Sequence, residues 1–297
     1  MKRKAIQLAG KTLVVSLPSK WAKQHGVKKG DELEIEEQGS RLTIKTDTTK
    51  EASKKELNCD RLEMLTRRSL FRQYHEGTDE IQINFSNPKK ISDIKEYLGE
   101  LIGYEIVKQG NNYAMISDVT GQKHQDFDQI MRRLFLLLKG VIEDSITAFQ
   151  QKDKEAMQNI MMRDEEINKF THFCLRVLSK QNSKEDRKNA YFTIIYTLER
   201  IGDDYKNMIK HITETKKPLD QDTIKICELI LQFYTKIYEF TFDNKLITAK
   251  EIALAYAQLR ERTKQYLEAN NTRTGFYLHT ITNSLITIQE LQLPYIN

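Results

Sequence analysis

From residue 126 to residue 292 the chain reads as helix after helix. Apolar residues recur at three- and four-residue spacing over 126–151, 153–180, 185–214, 219–243, 247–270 and 273–292. Proline would interrupt the helical hydrogen-bond ladder, and only four occur, at 18, 88, 218 and 294. Pro218 falls at a break between segments. The other breaks, at residues 151–153, 181–183, 243–244 and 270–271, are equally short, so successive helices must run antiparallel. This predicts an all-α bundle of six helices, arranged as two sets of three with the second starting near Pro218. The bundle domain is expected over 123–297.

The first 29 residues have a different character. They carry eight basic side chains and no acidic one: Lys2, Arg3, Lys4, Lys11, Lys20, Lys23, Lys28 and Lys29. Residues 1–46 hold ten Lys+Arg against five Asp+Glu, a net of +5, and the whole chain is 47 − 42 = +5. The rest of the molecule is therefore neutral, and the cationic surface belongs to one small module. Such segregation points to a polyanion, with double-stranded DNA the first candidate. Lys2, Arg3, Lys4, Lys11, Lys20 and Lys23 are the candidate phosphate contacts. The bland alternative is a solubilising basic face.

Residues 1–46 read as strand, strand, short helix, strand, strand. Residues 12–17 are β-branched and apolar, Pro18 suits the first turn of a helix, and Gly26 can take the left-handed stop conformation with Val27 following. Leu33 and Ile35 alternate with Glu32, Glu34 and Glu36, and residues 38–40 turn the chain into a last strand around 42–44. A module this small buries too little surface to stand alone, so a homodimer is expected. Trp21, the single tryptophan, is expected to pack the short helix.

Residues 47–59 are polar and read as a linker. Residues 60–122 read as a small α/β segment: a helix over 60–75, a strand over 80–85, a helix over 91–102, and a hairpin of 104–108 with 113–119. No nucleotide-binding glycine pattern occurs in it. The fold class is thus multi-domain α+β.

The helix at 185–214 carries Glu199 and Asp203 four residues apart, on one face beside the apolar stripe Ile194, Leu198, Ile201, Tyr205, Met208 and Ile212. Carboxylates so placed repel, and Gly202 between them costs roughly 1 kcal/mol relative to Ala. Both costs make sense if a cation lies between the carboxylates and the backbones approach closely. The preceding helix offers Asp164 and Asn168, again four apart. Together the four could hold one divalent metal ion; the alternative is an ordinary acidic helix surface.

Other chemistry finds no footing. The six histidines form neither Glu-x-x-His nor His-Glu-x-x-His, and there is no phosphate loop, dinucleotide fingerprint or Gly-x-Ser-x-Gly. Cys59, Cys174 and Cys227 are far apart, with no zinc spacing, and read as buried thiols. No run approaches the ~20 apolar residues that span a bilayer, and the start Met-Lys-Arg-Lys is followed by a stretch too short and polar for a signal peptide. A cytoplasmic, non-enzymatic protein with no membrane insertion is expected.

Two segments also resemble known families. Residues 9–35, Ala-Gly-Lys-Thr-Leu-Val-Val-Ser-Leu-Pro-Ser-Lys-Trp-Ala-Lys-Gln-His-Gly-Val-Lys-Lys-Gly-Asp-Glu-Leu-Glu-Ile, resemble the SpoVT/AbrB swapped-hairpin DNA-binding domain. The resemblance implies dimerisation by interlocking hairpins and DNA contact through basic residues around the strands and short helix. Ala22 and Lys23 stand where that family has arginines, which bears on sequence-specific readout. The helical region resembles the PhoU phosphate-uptake regulators at Leu198-Glu-Arg-Ile-Gly-Asp, Asn207-Met-Ile and Arg163-Asp-Glu-Glu-Ile-Asn. This resemblance implies two three-helix bundles whose acidic motifs hold iron or zinc clusters. Glu199 and Asp203 match one motif; Asp164 matches the other, with Asn168 in place of its last acid. Residues 274–286 carry no such pair, so at most one metal site is implied. The combination is similar to archaeal phosphate-uptake-regulator-like proteins. It implies a transcriptional regulator of phosphate uptake or, alternatively, an adaptor docking on phosphate-transporter components or a sensor.

Overall fold

Gly10 takes a φ of +82°, and around it the strands β1 (Ile6–Leu8) and β2 (Thr12–Val14) pair antiparallel, Ile6 opposite Val14. Pro18 then enters a short helix, α1 (Ser19–Gln24). Gly26, at φ +64°, ends it: the Gly26 amide donates to the Lys23 carbonyl and the Val27 amide to the Ala22 carbonyl, satisfying the last turn. Asp31 ties the following turn by accepting from the Lys28 amide at 2.7 Å. A second hairpin joins β3 (Leu33–Gln38) to β4 (Arg41–Thr46), with Ile35 opposite Ile44. The order strand, strand, helix, strand, strand is the one the sequence predicts. The hairpins form two separate two-stranded sheets.

The computed structural model describes residues 2–8, 10–38, 41–46, 52–120, 127–180, 185–215, 219–242, 249–270 and 272–292. Residues 39–40 of the expected 38–40 turn, the first part of the expected linker (47–51), the expected start of the bundle domain (123–126), the breaks at 181–183, 217–218 and 243–244, and residue 271 of the 270–271 break lie outside the described residues. The chain divides into two units, Met1–Ser53 and Lys54–Asn297.

Residues 54–58, read as linker, form a strand, β5 (Lys54–Asn58), parallel to β6 (Glu80–Asn84). Its Lys-Lys-Glu start hides the strand because β5 lies at a sheet edge, where charged side chains face solvent. The crossover between β5 and β6 is helical but broken: α2 (Cys59–Leu62), a 3-10 turn at Glu63–Leu65 with Glu63 at φ +46°, then α3 (Thr66–His75). After α4 (Lys90–Leu98), β7 (Tyr104–Gln109) and β8 (Tyr113–Asp118) complete a sheet of order β5-β6-β8-β7. Leu70, Tyr74, Ile81, Ile83, Ile94, Tyr104 and Ile116 fill the space between helices and sheet.

The bundle follows with α5 (Phe127–Gln151), α6 (Lys154–Met162), α7 (Asp164–Lys180), α8 (Glu185–Thr215), α9 (Gln221–Phe242), α10 (Ala249–Asn270) and α11 (Arg273–Gln292). The segment 153–180 is therefore two helices rather than one. Asp153 caps α6 by accepting from the Ala156 amide, and the chain restarts at Arg163, whose carbonyl receives the Glu166 and Ile167 amides. Asp164, Glu165 and Glu166 then occupy the first turn of α7, where negative charge meets the positive end of the helix. The predicted α8 stripe is buried throughout, and it joins α5, α7, α9, α10 and α11 in one apolar core.

Candidate functional site

In the first unit, the described side chains include none that is buried. Ile6, Leu8, Leu13, Val15, Ile35 and Leu42 are all more than half exposed, Leu13 the most at 71%. Trp21, expected to pack the short helix, is only half-buried and lies against the His25 ring, centroids 5.0 Å apart. An apolar set this exposed lacks the partner surface that would cover it. The six candidate contacts sit around this scaffold: Lys2, Arg3 and Lys4 precede β1, Lys11 lies in the β1–β2 turn, and Lys20 and Lys23 lie on α1. All six are exposed, and none forms an ion pair among the described residues, so their charge is available to a polyanion.

The acidic set lies where α7 packs on α8. Gly202 explains how the two helices come so close: a Cβ there would stand 3.2 Å from Cδ1 and 3.4 Å from Cγ2 of Ile167. Close helix packing is thus the structural reason for the glycine. Asp164, at the head of α7, is buried (6% exposed). Its Oδ2 accepts from Lys206 Nζ at 2.5 Å and from Asn168 Nδ2 at 3.3 Å. Its Oδ1 and the Oδ1 of Asn168 have no hydrogen-bond partner.

Glu199 and Asp203 on α8 are close enough to feel Asp164. Burial raises the Glu199 carboxyl above its ordinary range, reinforced by the charges of Asp203 and Asp164. Burial likewise raises Asp203, with Asp164 adding to it and Lys206 opposing it. The Lys206 ammonium is held charged, chiefly by its hydrogen bond to Asp164. The four residues singled out by spacing therefore share one neighbourhood, together with a fifth that the spacing argument passed over. Lys206 follows Glu199 and Asp203 at seven and three residues, on the same helix face, so its position was readable.

The donor set is suited to a hard cation, since every candidate ligand atom is oxygen and two buried oxygens lack partners. The arrangement does not close around one. Among the described residues no three His, Cys, Asp or Glu side chains converge closely enough to hold a metal ion. The positive charge beside Asp164 comes from Lys206.

Two further groups had no signal in sequence because they join distant elements. His75 of α3 and His172 of α7 face each other, Nε2 to Nδ1 at 3.0 Å. Burial pushes both down to about 4; their mutual repulsion adds to it for His75, as the Arg67 charge does for His172. Arg176 of α7 is buried (2% exposed), its guanidinium over the rings of Tyr74 and Tyr104, which meet edge to face. The three cysteines are free and buried, and no helix among the described residues is long and apolar enough to cross a membrane.

Comparison with known proteins bears on both halves. Residues 6–53 match the family described as "Antidote-toxin recognition MazE, bacterial antitoxin", which is of the AbrB/SpoVT swapped-hairpin type. Residues 131–212 match the PhoU domain, and this span contains Asp164, Asn168, Glu199, Asp203 and Lys206. A "Phosphate-specific transport system accessory protein PhoU homolog" from Clostridium acetobutylicum is 24% identical over 97 residues, 31% of this chain. The match spans 44% of that relative, less than half its length. No solved structure shows a significant match. The chain thus carries a MazE-like N-terminal segment and, in its helical half, a segment that matches the PhoU domain.

Proposed function

We propose that this protein is a homodimeric DNA-binding regulator of phosphate uptake, whose helical domain senses or relays phosphate status. The observation that carries the reading is the state of the first unit. Its apolar strand faces are exposed and its lysines are unpaired among the described residues, as a module would be that completes its core with a second copy and its charge balance with duplex DNA. Swapped hairpins would cover Ile6, Leu13 and Ile35, leaving Lys2, Arg3, Lys4, Lys11, Lys20 and Lys23 to contact phosphates. The proposed mechanism is a population shift. A signal acting on the helical domain would favour one arrangement of the paired basic modules and so change affinity for DNA.

The match to a phosphate-transport accessory protein favours a second reading, in which the helical domain docks on a phosphate transporter or sensor and the basic module serves dimerisation. Binding to promoter and random duplex DNA across a salt series separates the two. The regulator predicts affinity that falls linearly on a log–log plot and favours promoter DNA. Absence of binding at low salt would leave the adaptor. Genome-wide occupancy at high and low phosphate then tests the link to phosphate.

A further inference from the structure

The α7–α8 site has a resident cation. Glu199 and Asp203 on α8 lie within reach of the Asp164 charge, and one ammonium sits on Asp164, the most buried of the three carboxylates: it is 6% exposed, and Lys206 Nζ lies 2.5 Å from its Oδ2. The Lys206 side chain is 44% exposed, so the pair joins a buried carboxylate to an ammonium at the rim of the site. Asn168 adds a second donor to the same oxygen. A divalent ion bound to Asp164 Oδ2 would occupy the position now taken by the ammonium.

We propose that Lys206 takes the place of a metal ion in this protein, and that Lys206 and a divalent metal are mutually exclusive occupants of the Asp164 carboxylate. The physical reason is charge. An ammonium neutralises Asp164 with no ligand to acquire, and a metal ion arriving beside it must overcome both its repulsion and its hydrogen bond to the buried carboxylate. Remove the ammonium, and Asp164 loses its counter-charge beside two buried oxygens without partners, its own Oδ1 and that of Asn168; with Glu199 and Asp203 then free to turn towards it, the available ligands are all oxygen, which suits Mg²⁺ or Mn²⁺ rather than thiophilic metals. The inference concerns the helical domain alone and holds whether or not the first unit binds DNA.

The test is Mn²⁺ binding by the full-length protein, read by calorimetry and by electron paramagnetic resonance, with metal content of the purified protein alongside. Lys206→Met should bind Mn²⁺ at least about tenfold more tightly than wild type. Lys206→Gln, which keeps a donor for Asp164, should shift the same way and covers the case in which the Met variant does not fold. Adding Asp164→Asn to either should abolish the gain. Wild-type protein that binds Mn²⁺ as tightly as the Lys206 variants would overturn the proposal, as would Lys206 variants that gain no affinity. A wild-type protein purified with one metal per chain that Asp164→Asn loses would overturn it without any Lys206 variant.

Discussion

Arg176 Nη2 donates to Asp118 Oδ2 at 2.6 Å, joining helix α7 of the bundle to the end of strand β8. Both side chains are nearly buried, at 3% and 9% exposure. The same guanidinium donates to the Tyr74 carbonyl at 3.0 Å, and Lys180, one turn further along α7, reaches Asp118 and Asp79. Arg176, backed by Lys180, is thus the charged fastening between the α/β lobe and the bundle, beside the His75–His172 contact and the packing of Phe173 on the lobe's core. Arg176→Met should cost about 3–5 kcal/mol, because it leaves Asp118 without its main buried partner. Urea unfolding checks this, and a loss under 1 kcal/mol would show that Lys180 alone suffices.

The His75–His172 contact makes stability depend on pH. Both imidazoles are held near 4 in the fold, whereas the unfolded chain takes protons near 6.5. Between those values the unfolded state binds more protons, so the pair's contribution is complete above about pH 6.5 and is lost as pH falls towards 4. The raised carboxyls of Glu199 and Asp203 act in the opposite direction. The comparison must therefore be between variants: Tm should fall less from pH 7.5 to pH 5 in His172→Phe than in wild type. An equal fall would exclude the pair as the cause.

Exposed apolar side chains in the first unit should be the dimer's core. Leu13→Glu and Ile35→Glu each place a charge on that surface, and light scattering should show the dimer giving way to monomer while the helical content of the second unit persists. A dimer of unchanged strength would mean that subunits associate elsewhere.

The lysines should bind phosphates rather than read bases. Replacing Lys11, Lys20 and Lys23 together by Glu should abolish DNA binding and leave the oligomeric state intact. Lys20→Ala alone should weaken binding to all sequences alike and lower the log–log salt slope by about one. A change in sequence preference instead would assign Lys20 to base readout.

Much of this was readable residue by residue, and the gaps have identifiable causes. The α8 stripe from Ile194 to Ile212 and the alternation of Ile81 with Ile83 are periodic, because one face of each element is buried and the other is not. β5 escaped notice because an edge strand built from Lys54, Lys55 and Glu56 shows no such contrast. The break at Arg163 was invisible because helical periodicity continues across it. Asp164, Asn168, Glu199 and Asp203 could be grouped from four-residue spacing, and Lys206 could have been added to them on the same argument.

The sequence by itself determined the helical bundle, the basic strand-helix-strand module and the families each resembles, since these depend on local periodicity, turn residues and charge counted along the chain. Only the tertiary structure decided which distant side chains meet. Periodicity places a residue on a face but does not say what that face touches. That Lys206 closes on Asp164, that His75 meets His172, and that Arg176 reaches Asp118 depend on how α7 packs between the α/β lobe and α8.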